Sequence, residues 1–159
     1  MPIEKVVINA SPLICLFKSN LQNLIPELFS EIIVPGAVID EVTGDPSRAI
    51  SLEFEWIKKQ SAISLEPLVA SWDLGRGESE VLSFAYQTPP FWAIIDDREA
   101  ARCAKSLSIN HTGTIGVIVL AHRRGLISSL KENLKKLQNA GLWVSDKLIE
   151  DVCKNELQS

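Results

Sequence analysis

The chain has 159 residues, close to the usual size of one domain, and 46% hydrophobic against 23% charged residues excludes a disordered tail and supplies a core. With 16 basic and 20 acidic residues the net charge is −4, so no general field attracts polyanions; a nucleic-acid substrate would need a local basic patch or a bound divalent cation. Cys15, Cys103 and Cys153 are widely spaced, odd in number and without CxxC or Cys/His spacing, which argues against a disulfide framework or zinc site and fits a reducing cytosol.

The amino terminus, MPIEKVVINA, has no long apolar h-region, and no segment approaches the roughly 20 apolar residues of a membrane span, so the expectation is a cytoplasmic protein. Lys5 to Ile8 is a β-branched run read as the first strand, followed by Ser11 as a cap and Pro12 in the first turn of a helix carrying Leu13, Leu16 and Phe17. Leu21 to Phe29 reads as a short helix led by Asn20, and Ile32 to Val34 as a second strand. Pro35 opens a helix through Val42 that carries Asp40 and Glu41, and Gly44-Asp45-Pro46 breaks it.

Arg48 to Lys59 has Ile50, Phe54 and Ile57 at helical spacing, and Ala62 to Leu65 is read as a third strand. Gly75-Arg76-Gly77 reads as a plain turn into a helix with Glu78 in its first turn, and Thr88-Pro89-Pro90 stops that helix. Phe91 to Ile95 is the next strand, with Asp96 and Asp97 at its carboxyl end and an Ala-rich helix from Arg98 to Leu107. Ser108 to His111 is a short last strand, and three helices follow: Ile115 to Arg124, ended by Gly125, then Ser128 to Ala140 and Ser145 to Leu157. No linker or repeat interrupts the chain, so residues 1–159 are read as a single domain.

Alternating strands and helices imply a mostly parallel sheet covered on both faces, and ligands of such sheets sit outside the carboxyl ends of the strands. Those ends hold Asn9, Asp96 and Asp97, with Glu41 and Glu78 on helices that start near the same edge. Oxygen ligands of this kind suit hard divalent cations and metal-assisted phosphodiester hydrolysis. Each also has a plainer use: Asp97 as a helix cap, Asp96 paired with Arg98 or Arg102, Glu41 as a solvated residue, Glu78 at a helix dipole. Glu80 and Asp40 are taken as surface residues. His111 and His122 lack metal-ligand spacing, and Ser11 lacks a nucleophile context. Trp56, Trp72, Trp92 and Trp143 are read as packing residues, with Trp72 placed to stack on a base.

Taken together, VVINASPLI at Val6 to Ile14, VPGAVIDEV at Val34 to Val42, LGRGESEVLSFA at Leu74 to Ala85, IIDDREAARCA at Ile94 to Ala104 and GTIGVIVLAHRRGLI at Gly113 to Ile127 resemble PIN-domain ribonucleases. The resemblance runs nearly end to end. It implies a three-layer α/β/α sandwich, a carboxylate site for Mg²⁺ or Mn²⁺ and single-stranded RNA as substrate. Carried over by position, Glu41, Glu78, Asp96 and Asp97 match the acidic residues, with Asp97 the better match of the pair, and Ser11, Arg76 and Arg98 are assigned to RNA. Asn9 stands where most PIN nucleases have aspartate. Two readings follow: an endoribonuclease, in many relatives the toxin of a toxin and antitoxin pair, or a module that binds RNA or a partner without turnover. A small antitoxin and a homodimer are the expected protein partners. Leu21, Leu24, Phe54 and Ile57 are the apolar positions considered for such contacts, with core packing as their ordinary use.

Overall fold

The computed structural model describes residues 3–44, 46 and 50–158. Its centre is a five-stranded, all-parallel sheet in the order β3-β2-β1-β4-β5: β1 Lys5–Ile8, β2 Glu31–Pro35, β3 Ile57–Gln60, β4 Trp92–Ile94 and β5 His111–Thr112. β1 lies in the middle, with Val6 in register with Ile32 on one side and Trp92 on the other. Val6, Val7 and Ile8 are fully buried, which is why this strand reads as an unbroken apolar run rather than an alternating one.

Helices cover the sheet in two groups. α1 (Ala10–Lys18), α2 (Leu24–Leu28) and α7 (Thr114–Arg123) pack together, with α8 (Leu130–Asn139) against α7 and α9 (Asp146–Gln158) against α8. α5 (Arg76–Gln87) packs on β1, β2 and β4 and touches α4 (Pro67–Ala70) and α6 (Arg98–Ser106), while α3 (Gly36–Gly44) contacts both α1 and α5. The result is the expected α/β/α sandwich. Among the described residues no helix is long and apolar enough to cross a membrane.

Several local expectations are corrected. The helix expected over Arg48 to Lys59 begins at a residue outside those described; residues 50–54 have no regular structure, and Ile57–Gln60 is itself the third strand, paired with Ile32–Pro35. Ala62 to Leu65 is irregular. The helical spacing of Ile50, Phe54 and Ile57 misleads because Phe54 belongs to an aromatic group, 5.7 Å from Phe17 and 5.3 Å from Trp56 between ring centroids, while Ile57 enters the core. Lys58 and Lys59 stay exposed, a composition that protects an edge strand from further pairing.

Asn20 does not lead α2. It has φ +59° and ends α1: Leu21 N–H donates to the Leu16 carbonyl at 2.8 Å, the wrap-around bond of a left-handed cap for which Asn is the usual substitute for Gly. Glu80, expected at the surface, is only 8% exposed and accepts a hydrogen bond from Ala37 N–H at 3.0 Å, satisfying a donor in the first turn of α3. Leu21, Leu24 and Ile57 are buried in the core, so of the apolar positions considered for partners only Phe54 is exposed.

Candidate active site

The strand order reverses between β1 and β4, and the chain is locked at that point. Asn9 N–H donates to the Ile94 carbonyl at 3.0 Å, joining the carboxyl ends of the two strands, and the Asn9 carbonyl accepts from Leu13 N–H at 3.3 Å to open α1. The backbone of Asn9, and not Ser11, is therefore the N-cap. Asn is a favoured capping side chain, yet here it makes no capping bond. It turns towards α5 instead: Nδ2 donates to Glu78 Oε1 at 3.4 Å, and Oδ1 has no hydrogen-bond partner among the described residues although Asn9 is only 3% exposed. A buried acceptor left in this state costs about 1–3 kcal/mol.

Glycines make the approach possible. A Cβ on Gly77 would lie 3.1 Å from Asn9 Oδ1 and 3.4 Å from Glu41 Oε1, and a Cβ on Gly75 would lie 2.5 Å from Glu78 Oε2. The Gly75-Arg76-Gly77 segment is thus more than a turn: Gly75 is the N-cap of α5 and Gly77 a buried residue of its first turn. The Asn9 amide thus donates to the Glu78 carboxylate and leaves its own buried oxygen without a partner among the described residues.

Beyond β4 the acids are tied down. Asp96 accepts from Thr114 N–H at 2.8 Å through Oδ1 and from the Thr114 hydroxyl at 2.5 Å through Oδ2, so it fixes the start of α7 to the end of β4. Gly113 admits this contact, since a Cβ there would be 2.8 Å from Asp96 Oδ1. Asp97 caps α6, accepting from Ala100 N–H at 2.9 Å. Arg102 pairs with Glu99 at 3.1 Å and not with Asp96.

A cleft of about 770 Å³ opens from these residues, with Asn9, Ser11, Glu78, Asp96 and Asp97 in its lining. Glu41 is exposed and outside that lining, reached through the Gly77 contact. Arg76 and Arg98 are also exposed outside it, and Arg76 lies 3.7 Å from both Asp40 and Glu80. Among the described residues no three His, Cys, Asp or Glu side chains are gathered as a ready metal centre. The donors nevertheless fit a hard cation in type, because Mg²⁺ commonly takes one or two carboxylates and keeps water in its remaining positions, and the orphaned Asn9 oxygen is a further neutral oxygen donor.

The cleft lining includes Ser11, which was assigned to RNA, together with residues to which the sequence reading gave no site role. Ser11, Ile14, Cys15 and Lys18 line it as one face of α1, a spacing visible in the sequence once α1 is known to border the site. His111 lines it too, its Nδ1–H donating to the Ile109 carbonyl at 3.0 Å, an assignment that follows because a carbonyl can only accept. Burial, and then the negative charge of Asp96, push the Cys15 thiol up to about 11. Trp143 is at the rim, whereas Trp72 is half-buried against the core and outside the lining.

A parallel α/β sheet whose switch point opens into a carboxylate-headed cleft defines an α/β domain with an acidic, oxygen-donor site. The chain belongs to the PIN-domain family, whose model matches residues 5–157. PIN domains are in general metal-dependent nucleases. No curated protein and no solved structure matches the chain.

Proposed function

We propose that this PIN domain is an endoribonuclease that cuts single-stranded RNA with Mg²⁺ or Mn²⁺, and that residues 1–159 form one catalytic domain acting in the cytoplasm. The observation that carries the reading is the buried Oδ1 of Asn9, without a hydrogen-bond partner among the described residues, in a cleft that Glu78, Asp96 and Asp97 also line. Asn9, Glu41 and Glu78 would hold the cation, with Asp97 and Asp96 completing the acidic edge. A divalent ion there supplies positive charge to the phosphodiester and activates water. The residues of the chain do the positioning: Thr114 fixes Asp96, the α6 cap fixes Asp97, and the Asn9 backbone holds β1 to β4. Ser11 lies within reach of a bound strand in the same cleft.

The Asn9 to Glu78 hydrogen bond supports a second reading, a module that binds RNA or a protein without turnover, because it partly satisfies Glu78 with no metal present. In the first reading the toxin role, a small antitoxin and a homodimer remain part of the proposal. The discriminating experiment follows Mn²⁺-dependent thermal stabilisation and cleavage of a labelled single-stranded RNA in wild type and Glu78→Gln. Stabilisation and cleavage in wild type, both lost in the variant, support the nuclease; stabilisation or RNA binding without cleavage supports the binding module.

A further inference from the structure

Resting on the RNA-cleaving reading, we infer that Trp143 is a substrate-positioning residue: a base of the single strand stacks on its indole while the backbone runs between the carboxylates and Lys18. Trp143 is fully exposed, at 100%, in the connection between α8 and α9. A lone exposed indole on a surface needs no explanation, but this one lines the same cleft as Asn9, Glu78, Asp96 and Asp97. Gly141, with φ +109°, gives the connection the left-handed turn that carries the chain past the cleft. Below it the loop is anchored: Leu142 packs against the core, Val144 is buried, and Gln138 Nε2 donates to the Val144 carbonyl at 2.8 Å. The indole is thus held out from a fixed base, with its faces available.

Charge explains why such a contact suits this protein. A net charge of −4 and an acidic cleft head give little attraction for phosphates, and Lys18, on the α1 face that lines the cleft, is the one lysine in that lining. Stacking on an aromatic face needs no charge and accepts any base, since every base has a π-face. It adds affinity where counterion release cannot, and it fixes which phosphate lies over the carboxylates.

The test measures binding of a labelled octauridylate to the full chain in Ca²⁺, a cation of the same charge with looser coordination. Trp143→Ala is expected to weaken binding about 5- to 150-fold, Trp143→Phe to stay within about threefold, and Trp143→Leu to resemble the alanine variant. An oligomer of the same length with abasic sites should bind wild type and Trp143→Ala equally. The loss in Trp143→Ala should be the same at low and high salt, whereas Lys18→Ala should reduce the salt dependence. Equal binding of the octauridylate by wild type and Trp143→Ala overturns the inference while leaving the nuclease reading intact. So does a dimer by light scattering that becomes a monomer on Trp143→Ala, because the indole then serves a protein interface. Failure of wild type itself to bind or cut RNA ends both.

Discussion

The two halves of the acidic edge use the same kind of residue in opposite ways. On the α6 and α7 side, Asp96 and Asp97 are engaged by the backbone: Thr114 and Ala100 donate to them, and each carboxylate fixes a helix start. On the α3 and α5 side, the side chains of Asn9, Glu41 and Glu78 have, among the described residues, one weak hydrogen bond and one buried oxygen with no partner. The first half is satisfied by the fold; the second keeps hydrogen-bonding capacity that the described residues do not use. The polar residues of this edge therefore divide into those whose hydrogen bonds fix helix starts and those that the fold leaves less engaged.

Glu78→Gln tests the open half most strongly. It should lower RNA cleavage by at least about 100-fold and abolish stabilisation by Mn²⁺, while the metal-free melting temperature hardly changes. Fluorogenic cleavage assays and thermal shift measure both; a large loss of metal-free stability would place Glu78 with the structural acids. Asp96→Ala tests the other half. Without its acceptors the Thr114 N–H and hydroxyl lose their partner, and denaturant unfolding should show a loss of about 1–3 kcal/mol with or without metal.

Asn9→Asp sharpens the contrast because its sign should reverse with metal. Without metal the change removes the amide donor to Glu78 and adds a like charge, costing about 1–3 kcal/mol. With Mn²⁺ the added anion should tighten binding about tenfold and raise the cleavage rate, measured by calorimetry and turnover. Unchanged affinity would mean that Asn9 is no ligand.

The smallest effect belongs to Cys15, between the two halves. Its thiol is raised from 9.0 to about 11, chiefly by burial and then by Asp96, so the folded state favours the protonated form. That contribution is whole below pH 9 and is lost as pH rises towards 11. Wild type should lose stability across this window and Cys15→Ala should lose less, as followed by chemical denaturation at stepped pH.

Much of this arrangement was legible in the sequence. β1, β2 and β4 are buried from both sides and appear as continuous apolar runs, and the acids after them follow from where parallel sheets bind ligands. The edge strand β3, IKKQ, was hidden because an edge buries little, and its exposed lysines look like a helix surface. The burial of Glu80 is hidden for a related reason: a sequence shows that a residue is charged but not that another helix brings it a bare N–H. The roles of Gly77 and Trp143 depend on contacts between segments far apart in the chain, which no local pattern records.

The central place of β1 also sets a timetable for synthesis. Val6 must wait for Trp92 before its second neighbour exists, and pairings so distant in sequence form late. The amino-terminal part of the nascent chain can pair β1 with β2 while carrying Asn9 and Glu41 alone, without Glu78, Asp96 or Asp97. At the five to 20 or so residues added per second by a ribosome, several seconds separate the first strand from the arrival of Trp143 at the rim. The acidic edge is therefore complete in sequence once Asp97 has been made, well before the connection that carries Trp143 reaches the cleft.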